Sequence, residues 1–176
     1  MHWLDWLSLR ALSRTSIFQE GWGEVASFEP RSLLANTVRP SAPLTLSWAQ
    51  PHRERSLTVQ DGTAASPAAE LLPDSIATLR VRRLLTPRPP RCRVVVPPSW
   101  GDGGYGQRMW LVGALVAQGI EPWLLEGAYL GARAAPMTRV EDFVRMGFAH
   151  IEEVRALLQT HHDARLPTAL AGFSMA

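Results

Sequence analysis

The residues Gly172-Phe173-Ser174-Met175-Ala176 have the types and spacing for nucleophilic chemistry. They follow an apolar run, Pro167-Thr168-Ala169-Leu170-Ala171, that reads as a strand. A serine between small residues on a tight strand-to-helix turn is lifted clear of its sheet, and the small flanks let the backbones pass. Its Oγ can then add to an ester carbonyl, provided that an imidazole takes the hydroxyl proton. The plain alternative is a serine in an ordinary turn. The glycine-rich loop 97–104, Pro-Pro-Ser-Trp-Gly-Asp-Gly-Gly, supplies a second element of the same chemistry. Backbone N–H groups of Met175, Trp100 and Gly101 are the candidate oxyanion donors, and two such donors lower the barrier by several kcal/mol. The alternative for this loop is a simple chain reversal. Asp102 precedes a helical pattern, so it reads as a cap or loop brace rather than a catalytic acid. Glu126 closes an apolar strand and is a candidate to line the site.

The five histidines are His2, His52, His150, His161 and His162, and none follows Ser174. The run His161-His162-Asp163 lacks the further Cys or His spacing of a metal site, so no metal and no cofactor is expected. Glu152-Glu153 reads as a solvated helix face. Cys92 is the single cysteine, which excludes an internal disulfide and suits a small buried hydrophobe.

These groups need a scaffold, and the sequence is most regular from residue 76 onward. Thr78–Leu85 alternates as a strand does, and prolines close it. Residues 93–96 and 122–125 are short apolar runs suited to strands buried on both faces. Residues 107–118 have apolar positions at helical spacing, with Gly119 at the C-terminal cap. Thr138 and Glu141 have the spacing of a capping box. Val140, Phe143, Val144, Gly147, Ile151, Val154 and Leu158 then predict one apolar stripe on a long helix. The order strand, helix, strand, helix, strand, turn predicts an α/β fold with a mostly parallel sheet and helices on both faces. Residues 1–75 are a helical and strand region of uncertain packing, and 76–176 are the βαβαβ core. Within the first region, 3–14 and 31–37 read as helices, 44–48 and 56–59 as strands, and Asp61-Gly62 as a turn.

Composition bounds the rest. The 18 basic residues are all arginine, against 16 acidic ones. Arg80, Arg82, Arg83, Arg88, Arg91 and Arg93 cluster, but alternation with Leu79, Val81 and Leu84 reads as a strand's solvent face, so nucleic-acid binding is not expected. No stretch approaches the roughly 20 apolar residues of a membrane span. The N-terminus is not a secretory signal, which points to the cytoplasm. Trp3 and Trp6 could make a peripheral membrane contact, the alternative being a terminal helix packed on its own domain.

From Leu72 onward the chain resembles the α/β-hydrolase family typified by α/β-hydrolase domain-containing protein eighteen. The resemblance rests on Leu72-Pro73-Asp74-Ser75, on the Gly-Asp-x-x-Tyr loop at 101–105, and on Leu125-Glu126-Gly127-Ala128-Tyr129-Leu130-Gly131-Ala132-Arg133. It ends on the Gly-x-Ser-Met elbow at 172–175, and Gly21-Trp22-Gly23 is a shorter echo. Ala176 stands where the family has a second glycine. The resemblance implies an α/β-hydrolase fold, ester hydrolysis with acyl lipids among the substrates, and Ser174 as nucleophile. It implies Met175 and the Trp100–Gly101 loop as oxyanion hole, while Tyr129, Gly131 and Arg133 match a family segment that either shapes the mouth of the site or braces the loop. In that fold the acid and histidine follow the serine. This chain is therefore expected to hold the N-terminal half of the fold and to be inactive alone, with an exposed apolar edge at its last strand that makes it poorly soluble. The alternative is a non-catalytic protein that binds a partner or a membrane surface.

Overall fold

The computed structural model describes residues 18–24, 40–160 and 166–172. Its strands are β1 (Ser47–Trp48), β2 (His52–Glu54), β3 (Leu57–Ala65), β4 (Thr78–Leu85), β5 (Cys92–Val96), β6 (Ile120–Glu126) and β7 (Thr168–Leu170). Its two longer helices are α1 (Gly106–Ala117) and α2 (Val140–Thr160). The strands form one mixed sheet in the order β1-β3-β4-β6-β5-β7, with β2 paired to β3. The alternation β5-α1-β6-α2-β7 gives parallel pairs of β5 with β6 and β7, as the sequence pattern requires. The earlier strands pair antiparallel, including β4 with β6.

The sheet buries both faces because successive residues of a strand point to opposite sides. Val94, Val96 and Leu124 pack with Met109 and Val116 of α1. Val95, Trp123 and Leu125 pack with Val154 and Leu157 of α2. A third cluster joins Ala128 and Tyr129 after β6 to Met146 and Ala149 of α2. It lies beyond the carboxyl end of β6, where the loops of the candidate site begin.

Several local expectations are corrected. Asp61-Gly62 is no turn: β3 runs through it, because Asp61 pairs with Arg82 on β4 and Gly62 lies under the Trp48 ring. Only Ser47–Trp48 of the stretch 44–48 pairs in the sheet, although Leu44, Leu46 and Trp48, each half-buried, pack against the same core cluster. Strand β2 lacked a hairpin signal, since its turn into β3 uses Arg55 at φ 55 rather than glycine or asparagine. Of the β4 arginines, Arg80 is exposed as expected, whereas Arg82 and Arg83 are half-buried. Arg82 bonds Asp61 and Glu54, and Arg83 lies over the Trp48 ring at 4.4 Å. Cys92 is half-buried.

Helix α2 differs most from its predicted stripe. Its buried positions are Glu141, Met146, Ala149, Glu153, Val154, Ala156 and Leu157, while Ile151 is exposed. The expected capping box is absent. Asp142 accepts the Thr138 and Arg139 N–H groups at 3.0 Å each. Glu141 accepts the Glu24 N–H at 2.9 Å and pairs with Arg145. Carbonyls of Gly21 and Trp22 receive the N–H groups of Val140 and Glu141, so the Gly21-Trp22-Gly23 segment caps this helix. The helices expected at 3–14 and 31–37, with Trp3 and Trp6, lie outside the described residues. Among the described residues no helix is long and apolar enough to cross a membrane.

Candidate active site

Loops leaving the carboxyl ends of parallel strands build the sites of open α/β sheets. Here the relevant loops follow β5 and β6. The first leaves Val96 through Pro97 and Pro98, which are buried. It then turns at residues 99–102, where Asp102 N–H bonds Ser99 O at 3.2 Å. Gly101 occupies the third position of that turn at φ 75, which a type II turn reserves for glycine. Trp100 and Gly101 are exposed, and their N–H groups stand outside the closing bond. The Trp100 ring meets Phe143 of α2 edge-on at 5.1 Å.

Asp102 is the expected loop brace, and its partner is a residue that sequence reasoning missed. Arg108, on the first turn of α1, is almost fully buried and pairs with the Asp102 carboxylate. It also donates to Val96 O at 2.8 Å and to Gly104 O at 3.2 Å. One guanidinium thus grips the end of β5, the middle of the loop and its exit. Burial lowers the Arg108 pKa, and the Asp102 carboxylate opposes that shift. The available signal was an arginine in line with the inward positions Val112 and Val116 of α1.

Glu126 ends β6 and is buried. Its carboxylate accepts the Ala132 N–H at 2.7 Å and pairs with Arg80 at 3.1 Å. Tyr105 Oη lies 3.5 Å from it. Burial, with the Glu126 charge second, pushes the Tyr105 phenol far above its ordinary value, so the group is a neutral donor. Glu126 is thus a brace between the two loops. Gly131 passes so close to the Glu126 carboxylate that a Cβ would collide with it, and that Cβ would also lie 3.3 Å from Gly103 O.

Tyr129 is buried at φ 63, and Arg133 is buried one short 3-10 turn later. Arg133 pairs with Glu153 at 2.7 Å. Glu153 is 0 % exposed, which overturns the solvated-face reading of Glu152-Glu153. Adjacent helical residues point about 100° apart, and Glu153 falls on the inward stripe with Ala149 and Leu157. His150, one turn before Glu153, has a buried Nε2 with no hydrogen-bond partner among the described residues. Burial pushes its pKa down, against the pull of Glu153. A Cβ on Gly127 would lie 2.9 Å from both His150 Nε2 and Pro98 Cγ, so the loops after β5 and β6 touch here as well.

Strand β7 lies beside β5, and Ala171 N–H bonds Val95 O at 2.9 Å. The strand therefore runs toward the same end of the sheet as the two loops. Ser174 and Met175 lie outside the described residues, as do His161, His162 and Asp163. Among the described residues no group of three His, Cys, Asp or Glu has the arrangement of a metal site.

The family described as Alpha/beta hydrolase domain containing 18 matches residues 15–176. The chain belongs to this family. No curated protein matches the chain. Among solved structures, a candidate acetyl xylan esterase from Bacteroides fragilis aligns over 83 % of this chain and 46 % of its own, with TM-score 0.58 and 11 % identity. A cold-adapted esterase from an Arctic intertidal metagenomic library aligns over 73 % of this chain and 56 % of its own, with TM-score 0.52 and 17 % identity. At these identities the likeness is one of fold. The chain spans about half the length of these solved structures.

Proposed function

We propose that the protein is a serine hydrolase of carboxylic esters, with Ser174 as nucleophile. The supporting observation is the convergence of two segments in an α/β-hydrolase chain. Strand β7, which leads into Gly172-Phe173-Ser174-Met175-Ala176, lies beside β5. The loop leaving β5 is a braced type II turn at Trp100-Gly101. Family membership supports the hydrolase chemistry. In the reaction Ser174 Oγ adds to the ester carbonyl carbon while its proton passes to an imidazole. The C–O bond to the alcohol then breaks, and the alcohol leaves with that proton. Water repeats the addition on the acyl-enzyme and releases the acid. Backbone N–H groups of Met175 and of Trp100 or Gly101 carry the oxyanion at each step.

The acid and imidazole belong, by the family pattern, after the serine. No described histidine is assigned the role of base. Acyl lipids are among the proposed substrates, and exposed Trp100 against Phe143 gives the loop an apolar wall for an acyl group. The test is labelling of the native protein, at its full natural length, by a fluorophosphonate probe. Labelling of wild type that vanishes in Ser174→Ala is the expected result. Folded wild type that stays unlabelled, or labelling that survives in Ser174→Ala, overturns the reading. The first of these outcomes favours a non-catalytic, partner-binding role.

A further inference from the structure

Arg133 is a buried guanidinium that the proposed chemistry does not use, yet all five of its N–H donors are engaged. Nε donates to Ile76 O at 3.1 Å, and Nη2 donates to Ile76 O at 2.9 Å and to Glu153 Oε1 at 2.7 Å. Nη1 donates to Glu126 O and to Glu153 Oε2, each at 2.9 Å. Ser66 Oγ completes the set by donating to Glu153 Oε1 at 2.6 Å. The paired side chains are 2 % and 0 % exposed.

Stability alone is a poor reason for such a pair. Desolvating two charges offsets most of their attraction, and apolar residues of similar volume often serve the fold as well or better. The pair does supply geometry. Arg133 bonds back to the carbonyl of Glu126, seven positions earlier, and so closes segment 126–133 on itself. It ties that segment to α2 through Glu153 and to the β3–β4 connection through Ser66 and Ile76. Tyr129 stands inside the closed segment at φ 63, a conformation that bulky residues avoid. Such strain persists only where the surroundings enforce it, and it gathers at functional sites. The segment also backs the loop 97–104 at two points. Gly127 lies against Pro98, and Gly131 lies against Gly103 O.

We propose that the Arg133–Glu153 pair is a positioning unit that sets the oxyanion-donor loop through the segment 126–133. This inference rests on the serine-hydrolase reading. Neither residue touches the reacting atoms. They hold the surface against which Pro98 and Gly103 rest, and with it the placement of the Trp100 and Gly101 N–H groups between them. Oxyanion donors work only when they meet the developing charge at hydrogen-bond distance, so a small displacement of the loop is costly.

The experiment compares the native full-length protein with the double variant Arg133→Met/Glu153→Met and with Glu153→Gln. Glu153→Gln keeps the shape and removes the charge, and it stands in should the double variant fail to fold. Each is read by thermal melting, by the kinetics of fluorophosphonate labelling, and by amide hydrogen exchange across 127–133. The expected result is a folded variant whose maximal labelling rate falls at least about tenfold with half-saturating probe concentration little changed. Exchange across 127–133 rises in parallel. A folded variant that labels at the wild-type rate overturns the proposal, because a merely structural pair predicts that labelling follows melting. Wild type that does not label sinks the serine-hydrolase reading instead. The exchange measurement then decides the pair, and unchanged exchange in either folded variant overturns its positioning role.

Discussion

Protonating an imidazole whose Nε2 is buried without a partner puts a charge where water cannot solvate it. His150 is in that position beside Gly127, where the Glu153 charge favours its protonated form and the Arg133 charge disfavours it. Its folded-state pKa lies below the ordinary value, so the unfolded chain binds the proton first as pH falls. The contribution of His150 to stability is therefore full above the unfolded pKa, about 6.5, and declines as pH drops below it. Denaturant titrations at pH 7.5 and 5.5 should show a loss in wild type that is smaller in His150→Gln. Equal losses in the two proteins would mean that the imidazole is solvated. Asp61 behaves as the usual carboxylate does. The Arg82 hydrogen bond leads the causes that hold its pKa below the ordinary range, so its contribution is present near neutrality and lost only below about pH 4. Residue types alone do not reveal these environments. The Glu152-Glu153 dipeptide reads as solvent-facing because burial of a carboxylate depends on a guanidinium twenty positions away. Asp102 was legible as a brace, whereas its partner Arg108 was not, although both sit in one nearby stretch.

Whole elements were easier to read where one interaction dominates them. Strands β5 and β6, helix α1 with Gly119 at φ 76, and the alternating β4 are all visible in apolar periodicity, because burial sets that periodicity. Strand β3 was legible only at its start, 57–59, since Asp61 and Gly62 have the local character of a turn and are held extended by partners on other strands. Gly62 pairs with Val81 on one side and Trp48 on the other. An added Cβ would lie 2.7 Å from the Trp48 ring, which itself stands edge-on to Trp123 at 5.1 Å. Gly62 is therefore fixed by close approach, not by backbone freedom. Gly62→Ala should force the ring aside and destabilise the protein by about 1–3 kcal/mol. A near-UV circular dichroism change from the displaced tryptophan pair should accompany the lower melting temperature. An unchanged spectrum with unchanged stability would show that β1 yields freely at no cost.

Across the molecule, the two faces of the sheet are joined at one end by loops that interlock. Arg108 works from the α1 side on the loop after β5, and Glu126 works from the end of β6 on the loop that follows it. The loops meet where Gly131 passes Gly103 O and the Glu126 carboxylate, and where Gly127 passes Pro98. Rigid contact of this kind makes damage to one loop felt by the other, and a double-mutant cycle measures that directly. Asp102→Asn removes the charge facing buried Arg108 while keeping its shape, and Glu126→Gln does the same for the bond network around Ala132 and Arg80. Each single change should cost about 1–3 kcal/mol, as expected for a hydrogen-bonded charge lost from a buried site. Their combination should depart from the sum by about 0.5 kcal/mol or more, since groups in contact or sharing a network couple at that level. Additivity within about 0.3 kcal/mol would mean that the loops are set independently. In that case the contacts at Gly127 and Gly131 transmit nothing, and the loop after β5 owes its shape to Arg108 alone.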